Sequence, residues 1–123
     1  MPTVNIYLSE NHVQSGYPVW EENTARLREF VAKELSCGER TIEAHEMSIR
    51  LVSVQGRGMI APIEIEIQAH AYTERIEKSD ATCLAIRTYM MNCVNESKKV
   101  TRKIQLKDVQ VWLILSQLGH SWG

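Results

Sequence analysis

Apolar and polar residues alternate from the start of the chain: Val4, Ile6 and Leu8 are interleaved with Thr3, Asn5 and Tyr7. A period of two predicts a strand covered on one face. Pro2 can open such a strand, because the first residue need not donate to the ladder. Residues 9–17, with Ser, Asn and Gly ahead of Pro18, carry turn chemistry. The period then lengthens. Trp20, Thr24, Leu27, Val31 and Leu35 recur at three- and four-residue steps, while Glu21, Glu22, Arg26, Arg28, Glu29 and Lys33 cover the other side. This predicts a helix from about Val19, with acidic residues suited to its first turn and Gly38 where a helix stops.

Residues 41–54 place Ile42, Ala44, Met47, Ile49, Val52 and Val54 in a β-branched context. They predict a second strand or two short ones, with a bulge or kink near Ser48 where the alternation breaks. Gln55-Gly56-Arg57-Gly58 is a glycine-rich loop. It lacks the Lys-Ser/Thr of a phosphate-binding loop and leads into a strand, not a helix N-terminus, so phosphate binding is rejected. Residues 62–70 form the clearest strand, with Ile63, Ile65, Ile67 and Ala69 on one face and Glu64, Glu66, Gln68 and His70 on the other.

A second helix is expected over about 75–94, with Ile76, Cys83, Leu84, Arg87, Met90, Met91 and Val94 on one stripe. The methionines there are core filler. Residues 95–107 hold Lys98, Lys99, Arg102, Lys103 and Lys107 and read as a solvated connection. Residues 109–115 are an apolar strand. The tail from Gly119 to Gly123 carries Trp122, an aromatic that argues for docking, since free ends are normally polar.

Strand, helix, strand therefore occurs twice, over about 2–54 and 61–115, each unit opened by a proline, with a tail at 116–123. The expected fold is a single α+β domain over 1–123, a two-layer sandwich. Parallel strands within each unit and right-handed crossovers give a four-stranded mixed sheet with both helices on one face. The other face would expose Gln110, Trp112 and Ile114, which is too apolar for free solvent, so self-association is expected.

Charge and cysteine content narrow the partners. A formal net charge of -1 and a pI near 6.4 remove the electrostatic reason to expect nucleic acid or an anionic membrane. Cys37, Cys83 and Cys93 are odd in number and show neither Cys-x-x-Cys nor zinc-type spacing, so reduced thiols are expected and no metal. No apolar run is long enough to span a bilayer and no leader pattern precedes Pro2, which reads as a cytoplasmic protein.

A Met-Pro strand at the start, the duplicated β-α-β order, this length and a Gly/Trp ending together resemble the tautomerase superfamily, the group of macrophage migration inhibitory factor and 5-carboxymethyl-2-hydroxymuconate isomerase. Thr-Ile-Glu-Ala-His at 41–45 resembles its second strand, and 119–123 its ending. The resemblance implies a homotrimer whose sheets surround a channel, no cofactor, and proton transfer α to the carbonyl of a small 2-oxo or enol acid. Pro2 would be the general base after removal of Met1. A free α-amine has a reference pKa of about 7.7–8.0, burial lowers it by penalising the charged form, and the ring fixes its direction. A retained Met1 would make the nitrogen an imide with no basic lone pair.

The same resemblance implies a substrate-binding set. Gln110 stands where a pocket tyrosine is found and Trp112 where an asparagine is found. Gln110 can donate through its amide, and Trp112 can wall an apolar pocket or donate through its indole. Arg40, after the first helix, is the candidate cation for a substrate carboxylate, the other reading being a solvated loop arginine, and His70 falls near a substrate-lining position at the end of the third strand or is a hydrogen-bonded histidine inside the trimer interface. His45 and His120 are structural. A dehalogenase or hydratase of unsaturated acids would need paired arginines and a glutamate, for which the chain offers only Arg75 and Glu74. The reading from another class is a non-enzymatic trimer that binds a ligand or protein partner.

Overall fold

The sheet is built from strands whose alternation the helices cover on one side only. A computed structural model describes residues 2–38, 41–54, 61–96 and 104–116, and their side chains except those of 10–22. Strand β1 (Thr3–Ser9) leads into helix α1 (Glu10–Leu35), a 3₁₀ turn (Ala44–Glu46) and β2 (Ser48–Val54). The second unit runs β3 (Ile63–His70), α2 (Thr73–Glu77), α3 (Ser79–Glu96), a 3₁₀ turn (Leu106–Asp108) and β4 (Val109–Ser116). Strand order is β2-β1-β3-β4. β1 runs parallel to β2 and β3 parallel to β4, while the central pair β1 and β3 is antiparallel. The expected mixed four-stranded α+β sheet is thus the fold observed.

Register follows from burial. Val4, Ile6 and Leu8 of β1 and Ile63, Ile65 and Ile67 of β3 are all buried, in one cluster with Leu27, Val31 and Leu35 of α1 and Ile86, Met90 and Val94 of α3. A slip of one residue in β3 would put Glu64 and Glu66 against the helices and forfeit about 1.5–3 kcal/mol for each displaced isoleucine.

Three element boundaries differ from expectation. Helix α1 begins at Glu10 and runs unbroken to Leu35, so residues 9–17 are not a turn and Pro18 lies inside the helix. Gly16 and Pro18 lower local propensity, and Pro18 cannot donate to the Gln14 carbonyl. These costs of a few kcal/mol are ones that the buried stripe of a 26-residue helix can offset. The break near Ser48 is the start of β2, not a bulge; the residues before it form the 3₁₀ turn, with Ile42 and Met47 buried on either side. The second helix starts at Thr73, is interrupted at Lys78, and resumes as α3.

The buried stripe of the second unit also differs. Thr82, Ile86, Met90, Cys93 and Val94 face inward, while Ile76 and Leu84 are exposed at 49% and 53%. The steps of four from Thr82 through Ile86 and Met90 to Val94 satisfy helix geometry better than the expected set, and Thr82 escaped notice because it is polar.

Each second strand is entered through the same device. Glu43 and Glu46 form a reciprocal capping box around the first 3₁₀ turn, and Gln105 and Asp108 form one around the second. The backbone N–H of Glu43 donates to Glu46 Oε2 at 2.8 Å, and that of Gln105 to Asp108 Oδ2 at 2.8 Å. Donors that the short helices leave open are satisfied within four residues.

Candidate active site at the Pro2 end of the sheet

Pro2 is buried at the head of the central strand. Its carbonyl accepts a 3.3 Å hydrogen bond from the Ser48 amide at the start of β2, which anchors the residue covalently and by the ladder. In burial it continues the phase of Val4, Ile6 and Leu8, so the ring belongs to the helix-covered side. The nitrogen is a backbone atom and lies in the sheet layer itself.

Several segments converge on this end. Thr3 pairs with Gln68, so one step outward Pro2 comes level with Ala69, next to His70. Helix α1 runs back to the same end, because the strand that follows it, β2, pairs Ser48 with Thr3. β4 also finishes here, with the Ser116 carbonyl accepting from the Ala71 amide at 2.9 Å.

His70 is exposed and continues the outward phase of Glu64, Glu66 and Gln68. Its ring meets the Tyr72 ring edge-on, with centroids 4.6 Å apart at 64°. On Tyr72 rests the guanidinium of Arg75, with Cζ 4.8 Å from the ring centroid. Arg75 is only 5% exposed; its Nε donates to the Leu35 carbonyl at 2.8 Å and its Nη1 to the His70 carbonyl at 2.9 Å. A cation at the C-terminal carbonyls of α1 also complements the helix dipole. Arg75 is therefore committed to main-chain carbonyls and a ring, which removes it as the substrate-binding arginine of a dehalogenase-type site.

Glu74, its neighbour, accepts from the Gly38 amide at 2.9 Å and from Lys78 Nζ at 3.1 Å. The Gly38 hydrogen bond, with Lys78 second, holds its carboxyl below the ordinary value of 4.5. Glu74 and Arg75 together tie the exit of α1 to the exit of β3. Arg40, two residues beyond Gly38, lies outside the described residues, as do the 55–58 loop, the lysines at 98–103, His120 and the Gly/Trp tail. His45 is exposed in the first 3₁₀ turn.

Gln110 and Trp112 are placed elsewhere. Gln110 pairs with Glu64, which pairs with Tyr7, five residues along from Pro2 or about 17 Å at the usual strand rise. Trp112 pairs with Glu66, opposite Asn5, about 10 Å from the Pro2 level. Both belong to the outward phase of β4, where Trp112 and Ile114 are 40% and 47% exposed. The row beside them is polar: Asn5 Nδ2 donates to Glu66 Oε1 at 3.4 Å and Gln68 Nε2 to the same oxygen at 3.3 Å. One chain thus brings Pro2 and His70 to the same end of the sheet, in opposite phases, and leaves Gln110 and Trp112 farther along it.

Tyr72 escaped the sequence reading. Its only signal is Tyr-x-x-Arg directly after a strand, which has no periodicity to reveal it. Among the described residues no helix is long and apolar enough to cross a membrane, and the three cysteines are free thiols, Cys93 buried and Cys37 and Cys83 half-buried. Burial, with a smaller contribution from Asp80, pushes the Cys83 thiol up from its ordinary value.

No protein-family model and no curated protein matches the chain. Solved structures do. The macrophage migration inhibitory factor-like protein of Entamoeba histolytica is similar with a TM-score of 0.64, over 99% of this chain and 93% of that one, at 12% identity. A fused 4-OT protein described as a wild-type symmetric trimer reaches 0.55 at 12% identity over 92% of this chain and 85% of that one. A second, described in the same words, reaches 0.54 at 14% identity, over 98% and 93%. At such identities the likeness is one of architecture: the chain has the tautomerase fold shared by the inhibitory factor-like and 4-OT proteins.

Proposed function

We propose that this chain is a cofactor-independent tautomerase or isomerase of the cytoplasm that shifts a proton α to the carbonyl of a small 2-oxo or enol acid. The observation that carries the reading is Pro2 itself, buried at the head of the central strand of a tautomerase fold. With Met1 removed, its nitrogen is a secondary amine whose charged form burial disfavours, leaving a base able to act near neutral pH. Free thiols at three cysteines fit a reducing compartment.

The assembly proposed is a homotrimer. Two structures of similar fold are described as symmetric trimers, and the open sheet face carries exposed Trp112 and Ile114, apolar area that a neighbouring copy would cover. Trimer formation gives Gln110 and Trp112 a role that one chain cannot: they would line the pocket around the Pro2 of an adjacent copy, Gln110 donating to the enolate oxygen and Trp112 walling the acyl group. His70 lines the same pocket from its own chain, and Arg40 is the cation for the carboxylate.

The test is tautomerisation of phenylenolpyruvate or 2-hydroxymuconate by the wild type and by Pro2→Ala, with intact mass measured on protein from its natural host. Turnover that falls on substitution, in protein lacking Met1, is expected. Retention of Met1, or activity indifferent to the substitution, overturns the base. A trimer with no turnover on either acid establishes the alternative, a tautomerase-fold binding protein.

A further inference from the structure

We propose that Arg75 is a positioning residue that sets the His70 imidazole at the Pro2 end of the sheet, acting through Tyr72. This rests on the Pro2 reading for its catalytic meaning, though not for its geometry. One buried guanidinium engages separate segments: the last residue of α1 through the Leu35 carbonyl at 2.8 Å, the last residue of β3 through the His70 carbonyl at 2.9 Å, and the Tyr72 ring at 4.8 Å. The Tyr72 ring in turn meets the His70 ring at 4.6 Å. His70 is held at both its main chain and its side chain by groups that Arg75 locates.

Fold stability alone does not call for the ring contacts. A lysine could neutralise the α1 terminus, and one donor could satisfy one carbonyl; only a planar fork bonds two carbonyls and stacks on a ring at once. An exposed histidine at a strand end would otherwise sample several rotamers. Holding it in one orientation is what a pocket wall requires, since small misplacements at a reacting centre are costly in rate.

The experiment uses Arg75→Lys, Tyr72→Leu and His70→Asn in the full chain. Proton NMR of the imidazole, assigned by its loss in His70→Asn, reads the ring-current displacement that Tyr72 imposes. Arg75→Lys is expected to stay folded and to return the His70 signals to values of an unstacked histidine; unchanged signals in folded Arg75→Lys overturn the proposal. Tyr72→Leu supplies the unstacked reference; if Arg75→Lys does not fold, Arg75→Gln, which can still donate to a carbonyl but brings no cation to the ring, carries the same readout. In turnover, Arg75→Lys should lower kcat/KM by about tenfold to a hundredfold in the wild-type background and cause no further loss in His70→Asn. Independent, additive losses would assign Arg75 to fold stability alone. If the wild type turns over neither acid, the Pro2 reading falls, while the NMR result still decides the positioning.

Discussion

Both β-α-β units close their helix-to-strand connection by satisfying the backbone of an isoleucine with a side chain from the helix end, yet they use different chemistry. In the first, Ser36 Oγ accepts from the Ile42 amide at 2.9 Å and donates back to the Ala32 carbonyl at 2.8 Å. In the second, Asn95 holds Ile104 by both groups, accepting from its amide at 2.8 Å and donating to its carbonyl at 2.9 Å. The two opening prolines share a place ahead of a strand but not its surroundings: the Pro2 carbonyl accepts from Ser48 of β2, the parallel strand of its own unit, and the Pro62 carbonyl from Ser9 of β1, the antiparallel neighbour, with Pro2 buried and Pro62 half-buried. They are not equivalent in bonding. Pro62 follows Ala61, so its nitrogen is an imide without a basic lone pair, whereas Pro2 becomes an amine if Met1 is cleaved. Each unit thus opens on a proline, and covalent context decides which of them can be a base.

The sharpest way to break this comparison is to substitute both prolines. Pro2→Ala is expected to lower turnover of phenylenolpyruvate by roughly 10²-fold or more, the range of a lost general base, while Pro62→Ala leaves the rate in place. Equal losses would show that both prolines act through strand geometry.

Arginines offer the next contrast. Arg75 bonds the Leu35 and His70 carbonyls from a buried position, and Arg87 bonds the Leu106 and Val109 carbonyls from a half-buried one. Urea unfolding should show Arg75→Met losing about 2–4 kcal/mol and Arg87→Met about half that, because a carbonyl stranded away from water costs more. A reversed order would mean that the second unit, not the junction between units, carries the critical bracket.

A smaller effect separates the connections. Asn95→Ala leaves both the amide and the carbonyl of Ile104 without that partner and should cost about 1–2 kcal/mol; Ser36→Ala strands the Ile42 amide, while the Ala32 carbonyl keeps the Ser36 amide, so about 1 kcal/mol is expected, both read from the midpoint of chemical denaturation.

Smallest is a pH effect at Glu74. Its folded pKa lies below the ordinary 4.5, so its contribution is complete above that value and disappears as pH falls through the lowered one. Glu74→Gln should therefore lower stability slightly at neutral pH and leave acid pH almost untouched, which flattens the acid limb; the effect is small because the carboxylate stays partly in solvent.

How far these features could be read from the chain depends on whether they are periodic. Ile63, Ile65 and Ile67 against Glu64 and Glu66 leave one solution for β3, and the duplicated order follows from two such patterns. Helix α1 was misjudged at its start because Gly16 and Pro18 argue locally for a turn, while the stripe through Leu27, Val31 and Leu35 stabilises the helix over a longer range. Thr82 replaced an expected apolar residue because packing tests shape and hydrogen bonding along with hydropathy. Pro2 and His70 were legible as strand ends; that an antiparallel pair brings the head of one strand to the tail of the other came only with the register. The contacts of Tyr72 and Arg75 were not legible, because a bond from a side chain to a carbonyl 40 residues earlier leaves no trace in spacing. Gln110 and Trp112 share a face with the polar row of β3 but not a level with Pro2, and that distance exists only once register is known.

The antiparallel pairing of β1 with β3 also sets the order in which the protein can fold. Asn5 meets Glu66 across 61 residues, so the central ladder is a long-range closure that local helix formation cannot hasten. During synthesis the first unit emerges with β1 lacking one neighbour until β3 follows. Through that interval an unpaired edge beside Val4, Ile6 and Leu8 is open to wrong partners. Substitutions in β3 should therefore slow refolding more than equivalent ones in β2 or β4.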